Sequence, residues 1–211
     1  MYRVVCGGSF DPIHLGHLAI ADAIHREIAP DELLWVPAQI APHKQDQPPA
    51  DAADRLAMLR AATLGRSQEH ILTWELQRPA PSYTVHTLRA LHEHDPSGKI
   101  DLVLGLDSLS HLDSWHRLEE VFDLAGFLFV PRPNPDPTGA PEPASPAAID
   151  DFRVALPAPL QEKFRANWVP MREVPISSTH IRAELAKGNR CQQFLPAAVE
   201  QLIQERGLYR G

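Results

Sequence analysis

The chain is poor in cysteine, has no excess of positive charge and contains no long apolar run. Each shortage excludes something. Cys6 and Cys191 are its two cysteines, too few for a disulfide scaffold and suited to a reducing cytoplasm. Lys and Arg number 20 against 27 Asp and Glu, a formal net charge of −7, which speaks against a general nucleic-acid binder held by a basic surface. No apolar stretch approaches the roughly 20 residues of a membrane span. The opening Met1-Tyr2-Arg3-Val4-Val5-Cys6 soon turns polar and does not read as a signal peptide. The expected setting is cytoplasmic, with no nucleic-acid or membrane partner, and a homo-oligomer is left open. Proline is abundant, at 21 of 211 residues, about twice average usage. At about 150 residues per domain, the length favours one domain, 1–211, large enough to bury a core without disulfides.

Short apolar runs alternate with helical patterns. Strands are expected at 3–6, 33–36, 71–76, 100–104, 127–130 and 168–174, and helices at 15–28, 51–64, 84–94, 113–124, 178–187 and 196–206. Strand–helix alternation predicts βαβ units around a parallel sheet, an α/β fold of the doubly wound, Rossmann-like kind. Gly65 is expected to end the second helix. Residues 37–50 hold four prolines and read as a loop, and 131–146 hold seven prolines in sixteen positions. The latter segment is expected to be an exposed, mobile insertion without regular structure.

The chemistry concentrates behind the first strand, in Gly7-Gly8-Ser9-Phe10-Asp11-Pro12-Ile13-His14-Leu15-Gly16-His17. Two glycines allow a tight turn and a close backbone approach. A helix start offers N–H donors and partial positive charge, which suits phosphate. His14 and His17, three apart, point to one side of the first turn, and Gly16 between them is expected to leave room for a bulky group. A zinc site is the competing reading of the two imidazoles, but the cysteines lack partner spacing for one. Asp11 is expected to stabilise the loop by accepting backbone N–H bonds. Near the C-terminus, Ile176-Ser177-Ser178-Thr179-His180-Ile181-Arg182 places hydroxyls at a helix start and Arg182 one turn in, where its guanidinium can fork onto phosphate oxygens.

The first run resembles the GGTFDPIHxGH signature of the nucleotidyltransferase superfamily with an HxGH motif, with Ser9 in place of Thr. The second resembles its ISSTxIR signature. Pro42-His43-Lys44, Pro81 to Leu88 with His86 where an Asp is usual, Gly105-Leu106-Asp107-Ser108 and Leu112-Asp113-Ser114-Trp115 are similar to the bacterial nicotinate-mononucleotide adenylyltransferase family. The resemblance implies a Rossmann-like fold and the joining of ATP and nicotinate mononucleotide into nicotinate adenine dinucleotide and pyrophosphate, with Mg²⁺ bound to ATP and no metal ligands on the protein. It implies catalytic roles for His14, His17, Lys44 and Arg182. ATP would be held by Gly7, Gly8, Ser9, Phe10, Gly105, Asp107, Ile176, Ser177, Ser178 and Thr179, with Asp107 on a ribose hydroxyl. Tyr83, Thr84, Trp115 and His116 would hold the acceptor, Trp115 stacking on its ring and amides near Thr84 and His116 taking its carboxylate.

Alternatives within the superfamily are nicotinamide mononucleotide, dual specificity, or phosphopantetheine, which has no ring for Tyr83 and Trp115 to stack on. A non-catalytic nucleotide sensor is the alternative from another class, and the full set of phosphate donors argues against it. Trp115 also has a plain reading, a core tryptophan at helical spacing with Leu118 and Phe122. Trp35, Trp74 and Trp168 are expected in the core. His25, His70, His92, His94 and His111 are expected at the surface.

Overall fold

The computed structural model describes residues 1–42, 45, 48–131, 146–172 and 174–210. Its centre is a six-stranded, wholly parallel sheet in the order β3-β2-β1-β4-β5-β6. The strands are β1 (Tyr2–Gly8), β2 (Glu32–Pro37), β3 (Glu69–Ile71), β4 (Lys99–Gly105), β5 (Gly126–Val130) and β6 (Ala166–Trp168). The helices are α1 (Leu15–Glu27), α2 (Ala52–Ala62), α3 (Thr84–His94), α4 (Leu118–Leu124), α5 (Ala147–Ala155), α6 (Ala158–Lys163), α7 (Ser178–Ala186) and α8 (Ala197–Arg206). Among the described residues none is long and apolar enough to cross a membrane.

The central strands are apolar on both faces because both faces are covered. Side chains alternate across the sheet. Val4, Cys6, Leu33, Trp35, Leu128 and Val130 join Ile24 of α1, Met58 and Leu59 of α2, Ile181 of α7 and Val199 and Ile203 of α8 in one core. Val5, Leu34, Val36, Phe127 and Phe129 join Val85, Leu88 and Leu91 of α3, Val121 and Phe122 of α4 and Ile149 of α5 in the other. The sheet order reverses between β1 and β4, so the crevice beyond their carboxyl ends is where a ligand belongs in such a sheet.

The expected elements are recovered with four local differences. The run 71–76 gives up its strand after Ile71; Trp74 lies in a turn that continues as a 3-10 turn at Glu75–Gln77, and the Arg78 guanidinium lies 3.6 Å above the Trp74 ring. The single helix expected over 113–124 is two pieces: a 3-10 helix at Leu106–Ser114 and α4. Arg117 separates them with a left-handed backbone at φ 55°, a conformation a non-glycine residue adopts rarely. The last strand lies earlier than expected, pairing at Ala166–Trp168. Val169 still donates to Phe129, and Pro170 has no N–H with which to continue. Gly65 stands three residues past the end of α2, at φ +84°. Helices α5 and α6 were not anticipated, and the Pro-rich segment preceding them falls, from 132 to 145, outside the described residues.

Candidate active site

The two motifs meet at the β1–β4 crevice. Strand β1 ends in Gly7-Gly8, and α1 begins at Leu15 with His14 as its N-cap. Helix α7 begins with Ser177 as N-cap, its hydroxyl accepting from the His180 N–H at 3.2 Å. Ser178 Oγ donates to the Pro12 carbonyl at 3.0 Å, and Arg182 Nη1 donates to the Asp11 carbonyl at 2.7 Å. Residues more than 160 apart in sequence are thus clasped through backbone oxygens.

The histidine pair has a defined chemistry. Its rings stack at 3.8 Å, 28° apart, and His14 is 5% exposed. The two residues cap the helix start together: the His17 N–H donates to the His14 carbonyl at 3.0 Å, and the His14 N–H donates to His17 Nδ1 at 3.2 Å. A neutral imidazole accepting at Nδ1 carries its proton on Nε2. The cap therefore selects the His17 tautomer that donates from Nε2. Gly16 is small for a reason other than the expected one: a Cβ there would lie 3.0 Å from the His14 ring, with Ile176 at 3.7 Å. The room is filled by the histidine itself. A Cβ at Gly7, in contrast, would meet nothing within 4 Å, so that backbone is open to a ligand.

Phe10 lies in the core beneath this pair, 3% exposed, edge-on to His17 at 5.2 Å and to Trp35 at 5.4 Å. Its ring explains Gly8, where a Cβ would come within 3.2 Å of it. Asp11 is buried, and its carboxylate takes one backbone amide together with a hydroxyl and a guanidinium. Its Oδ1 accepts from the Ala50 N–H at 3.2 Å and from the Tyr209 hydroxyl at 2.7 Å, and its Oδ2 lies 3.5 Å from Arg182 Nη1. Gly105 ends β4 and Asp107 follows in the first turn of the 3-10 helix, both at the same crevice edge. Lys44, with His43, lies outside the described residues. The loop leading to it is tied to both halves of the site: Ala38 N–H donates to the Gly8 carbonyl at 2.9 Å, and Gln39 N–H to Ser82 Oγ at 3.0 Å.

The expected acceptor residues gather at the start of α3. Tyr83 is its N-cap and makes no side-chain cap, and Thr84 is its first residue. The Tyr83 and His116 rings lie 4.5 Å apart, with His86 about equally distant from both at 6.1 and 6.2 Å. Trp115 stands at the break between the 3-10 helix and α4, half-buried against the second core, rather than on a helical stripe with Leu118 and Phe122. Positive charge surrounds His86: burial first, then Arg89, His116, Arg117 and Arg78, hold its pKa below the usual value.

Three residues escaped the sequence reading. Arg55, 1% exposed, extends its guanidinium to the carbonyls of Ala50, Ser9, Ala38 and Gln39 at 2.8–3.1 Å. Burial lowers its pKa, opposed by Asp11, Tyr209 and Asp51. The signal was there: Arg55 shares the buried stripe of α2 with Met58 and Leu59. Glu75 accepts from Thr87 Oγ1 at 2.5 Å, and its burial raises its pKa against the opposing bonds from Thr87 and Ser82. Tyr209 carried no signal beyond being aromatic in the tail. Trp35, as expected, is in the core and donates to Glu69 at 2.8 Å. His25 is tied to Glu69 at 3.1 Å rather than solvated alone, while His70, His92, His94 and His111 are exposed.

The model of the cytidylyltransferase-like family matches residues 5–184. A protein of Gloeobacter violaceus named "Probable nicotinate-nucleotide adenylyltransferase" is 38% identical over 97% of this chain and 94% of its own. One of Salinibacter ruber with the same name is 35% identical over 97% and 95%. Among solved structures, the Plasmodium falciparum nicotinic acid mononucleotide adenylyltransferase complexed with NaAD superposes with a TM-score of 0.72 at 20% identity, over 99% of this chain and 97% of that one. That likeness is one of fold.

Proposed function

The chain belongs to the cytidylyltransferase-like family, and from that premise we propose that it is a nicotinate-nucleotide adenylyltransferase, transferring the adenylyl group of ATP to nicotinate mononucleotide in NAD biosynthesis. The observation that carries the reading is the clasp of the two motifs, with Ser178 and Arg182 bonded to the loop that ends in the stacked His14 and His17. An acceptor phosphate with a second pKa of about 6 is mostly a dianion near neutrality and needs no general base. One of its oxygens attacks the α-phosphorus of ATP. The bond from that phosphorus to the bridging oxygen breaks, and its electron pair leaves with pyrophosphate. The protein's task is to hold two anions together and to meet the charge that develops.

The donors for that task are His17 Nε2, His14, the α1 and α7 amides, Arg182 and, by resemblance, Lys44. Imidazole, guanidinium, hydroxyl and amide donors suit phosphate oxygens. Among the described residues no group of three or more His, Cys, Asp and Glu forms a metal cage. By resemblance, Mg²⁺ would arrive on the ATP phosphates, where it would supply charge neutralisation of the leaving pyrophosphate. Gly7, Gly8, Ser9, Gly105, Asp107 and 176–179 would line the ATP side, with Phe10 supporting from below. The acceptor ring would lie against Trp115 and Tyr83, its carboxylate toward the amides near Thr84 and His116. Residues 1–211 would work as one catalytic domain, since α7 and α8 share a core with β1 and α1. The cytoplasm would be its place; Cys6 and Cys191 are free, buried thiols.

Product analysis with ATP and each mononucleotide tests the proposal. Nicotinate mononucleotide should give nicotinate adenine dinucleotide and pyrophosphate, with a kcat/KM at least about tenfold above that for nicotinamide mononucleotide. Equal values would make the enzyme dual-specific. Binding without product in either case would make it a sensor.

A further inference from the structure

The C-terminal tail reaches into the phosphate-handling end of the site. Tyr209 lies past α8 with a left-handed backbone at φ 60°, and its hydroxyl donates to Asp11 Oδ1 at 2.7 Å. Its ring packs against the first core. Asp11 is the residue whose backbone carbonyl accepts from Arg182 Nη1 at 2.7 Å and whose Oδ2 lies 3.5 Å from the same nitrogen. Both oxygens of the carboxylate are therefore used, one by the tail and the Ala50 amide, the other facing Arg182.

We propose that Tyr209 is a positioning residue for the transfer step, holding the Arg182 guanidinium in register through Asp11. The idea rests on the function proposed above. A guanidinium is a rigid planar fork, so fixing Nη1 fixes the direction of its remaining donors. Asp11 accepts from Nη1 with its carbonyl at 2.7 Å and faces the same nitrogen with its carboxylate at 3.5 Å, and the rotation of that carboxylate is set by Tyr209 and Ala50. Burial and the Asp11 charge push the Tyr209 hydroxyl far above its usual pKa, so it remains a donor through the working pH range. Without it the carboxylate turns away, and Arg182 keeps the carbonyl but loses the facing charge that steadies its fork. Because Arg182 would serve mainly the charge of the transition state, the loss should fall on kcat.

The test is Tyr209→Phe, which keeps the packed ring and removes one oxygen. With whichever mononucleotide the wild-type enzyme converts, kcat should fall about tenfold while the KM values for ATP and acceptor change less than about threefold. The melting temperature should fall by no more than about 4 °C. In an Arg182→Lys background, followed by single turnover at high enzyme concentration, the same substitution should cost less than about twofold, since a residue that acts through Arg182 has nothing left to position. Independently of turnover, the Arg182 Nε–H resonance, assigned by its loss in Arg182→Lys, should shift in Tyr209→Phe. A kcat within twofold of wild type, an equal cost in both backgrounds, an effect confined to KM, or an unmoved Arg182 resonance would each overturn the proposal. Failure of the wild-type enzyme to convert either mononucleotide would overturn the function instead, and the resonance would still judge Tyr209.

Discussion

The two ends of the site are built differently. At the phosphate end the loop 9–14 is held from every side: Arg55 takes the Ser9 carbonyl, Arg182 and Ser178 take the next backbone oxygens, and Tyr209 takes the Asp11 carboxylate. Phe10, Asp11 and His14 are buried. At the acceptor end Tyr83, Thr84, His86 and Trp115 are half-buried, His116 and Arg117 are exposed, Tyr83 and Trp115 pack on the second core, and the rings of Tyr83, His86 and His116 face one another. Beneath that end the Gln39 N–H donates to Ser82 Oγ and the Thr87 hydroxyl donates to the Glu75 carboxylate. Transition-state charge calls for preorganised donors. Recognition of a flat ring calls for a surface. On the proposed function, the buried hydrogen bonds lie at the end that would meet that charge, and the end that would meet the ring is comparatively open.

The comparison breaks most sharply at His17. Its Nδ1 is occupied by the His14 N–H, so Nε2–H is the donor it offers. His17→Ala should lower kcat by roughly 10²–10³, as loss of one such donor commonly does, with ATP affinity changing far less. Turnover near wild type would remove His17 from the mechanism and, with it, the contrast between the two ends. Trp115→Ala should act the other way. Loss of one stacking face should raise the KM for the acceptor about tenfold, or roughly 1.4 kcal/mol, with kcat little changed. The acid and amide mononucleotides should suffer alike, because their rings stack alike. A kcat effect larger than the KM effect would mean that Trp115 positions the reacting phosphate and is no mere surface.

The same division explains what could be read from the sequence. The motifs proposed to handle phosphate stand out in the sequence because their parts are contiguous: two glycines after a strand, two histidines three apart, hydroxyls and Arg182 at a helix start. Their supports do not, because Arg55 and Tyr209 act across 46 and 198 residues of sequence. Arg55 could have been noticed as a charge on the buried stripe of α2; a tyrosine in a tail has no such pattern. The sheet was legible from its apolar runs. Errors fell where tertiary contacts override local pattern: Trp74 beneath Arg78, Pro170 ending a ladder, and Arg117 splitting one helical stripe into two. That last error also misplaced Trp115, which the periodicity put inside a helix and the fold puts at a break.

The smallest expected effect concerns His86, and it sharpens what distinguishes the acceptor end. His86 faces Arg89, Ala90 and Glu93 on its own helix, Arg78 and Trp74 from the preceding turn, and His116 and Arg117 from the start of α4. Burial and those cations hold its pKa below the usual value, so it is neutral near pH 7 and gains its proton only at a pH below the ordinary histidine range of about 6.5. The nicotinate carboxylate stays ionised throughout. A proton on His86 adds a positive charge beside it and none beside the neutral amide. The acid-to-amide ratio of kcat/KM should therefore be flat from about pH 7 to 8.5 and rise a few-fold only below the ordinary histidine range of about 6.5. His86→Asn should abolish that rise and leave the ratio near neutrality unchanged. His116 is exposed and its ring lies 6.2 Å from that of His86, so His116→Asn serves as the control: if it, and not His86→Asn, flattens the profile, the proton that reads the acceptor sits on the other ring. A ratio that climbs between pH 8 and 7 in the wild-type enzyme would contradict the lowered pKa. In that case the cations around His86 are better screened by Glu93 and Glu120 than their placement implies.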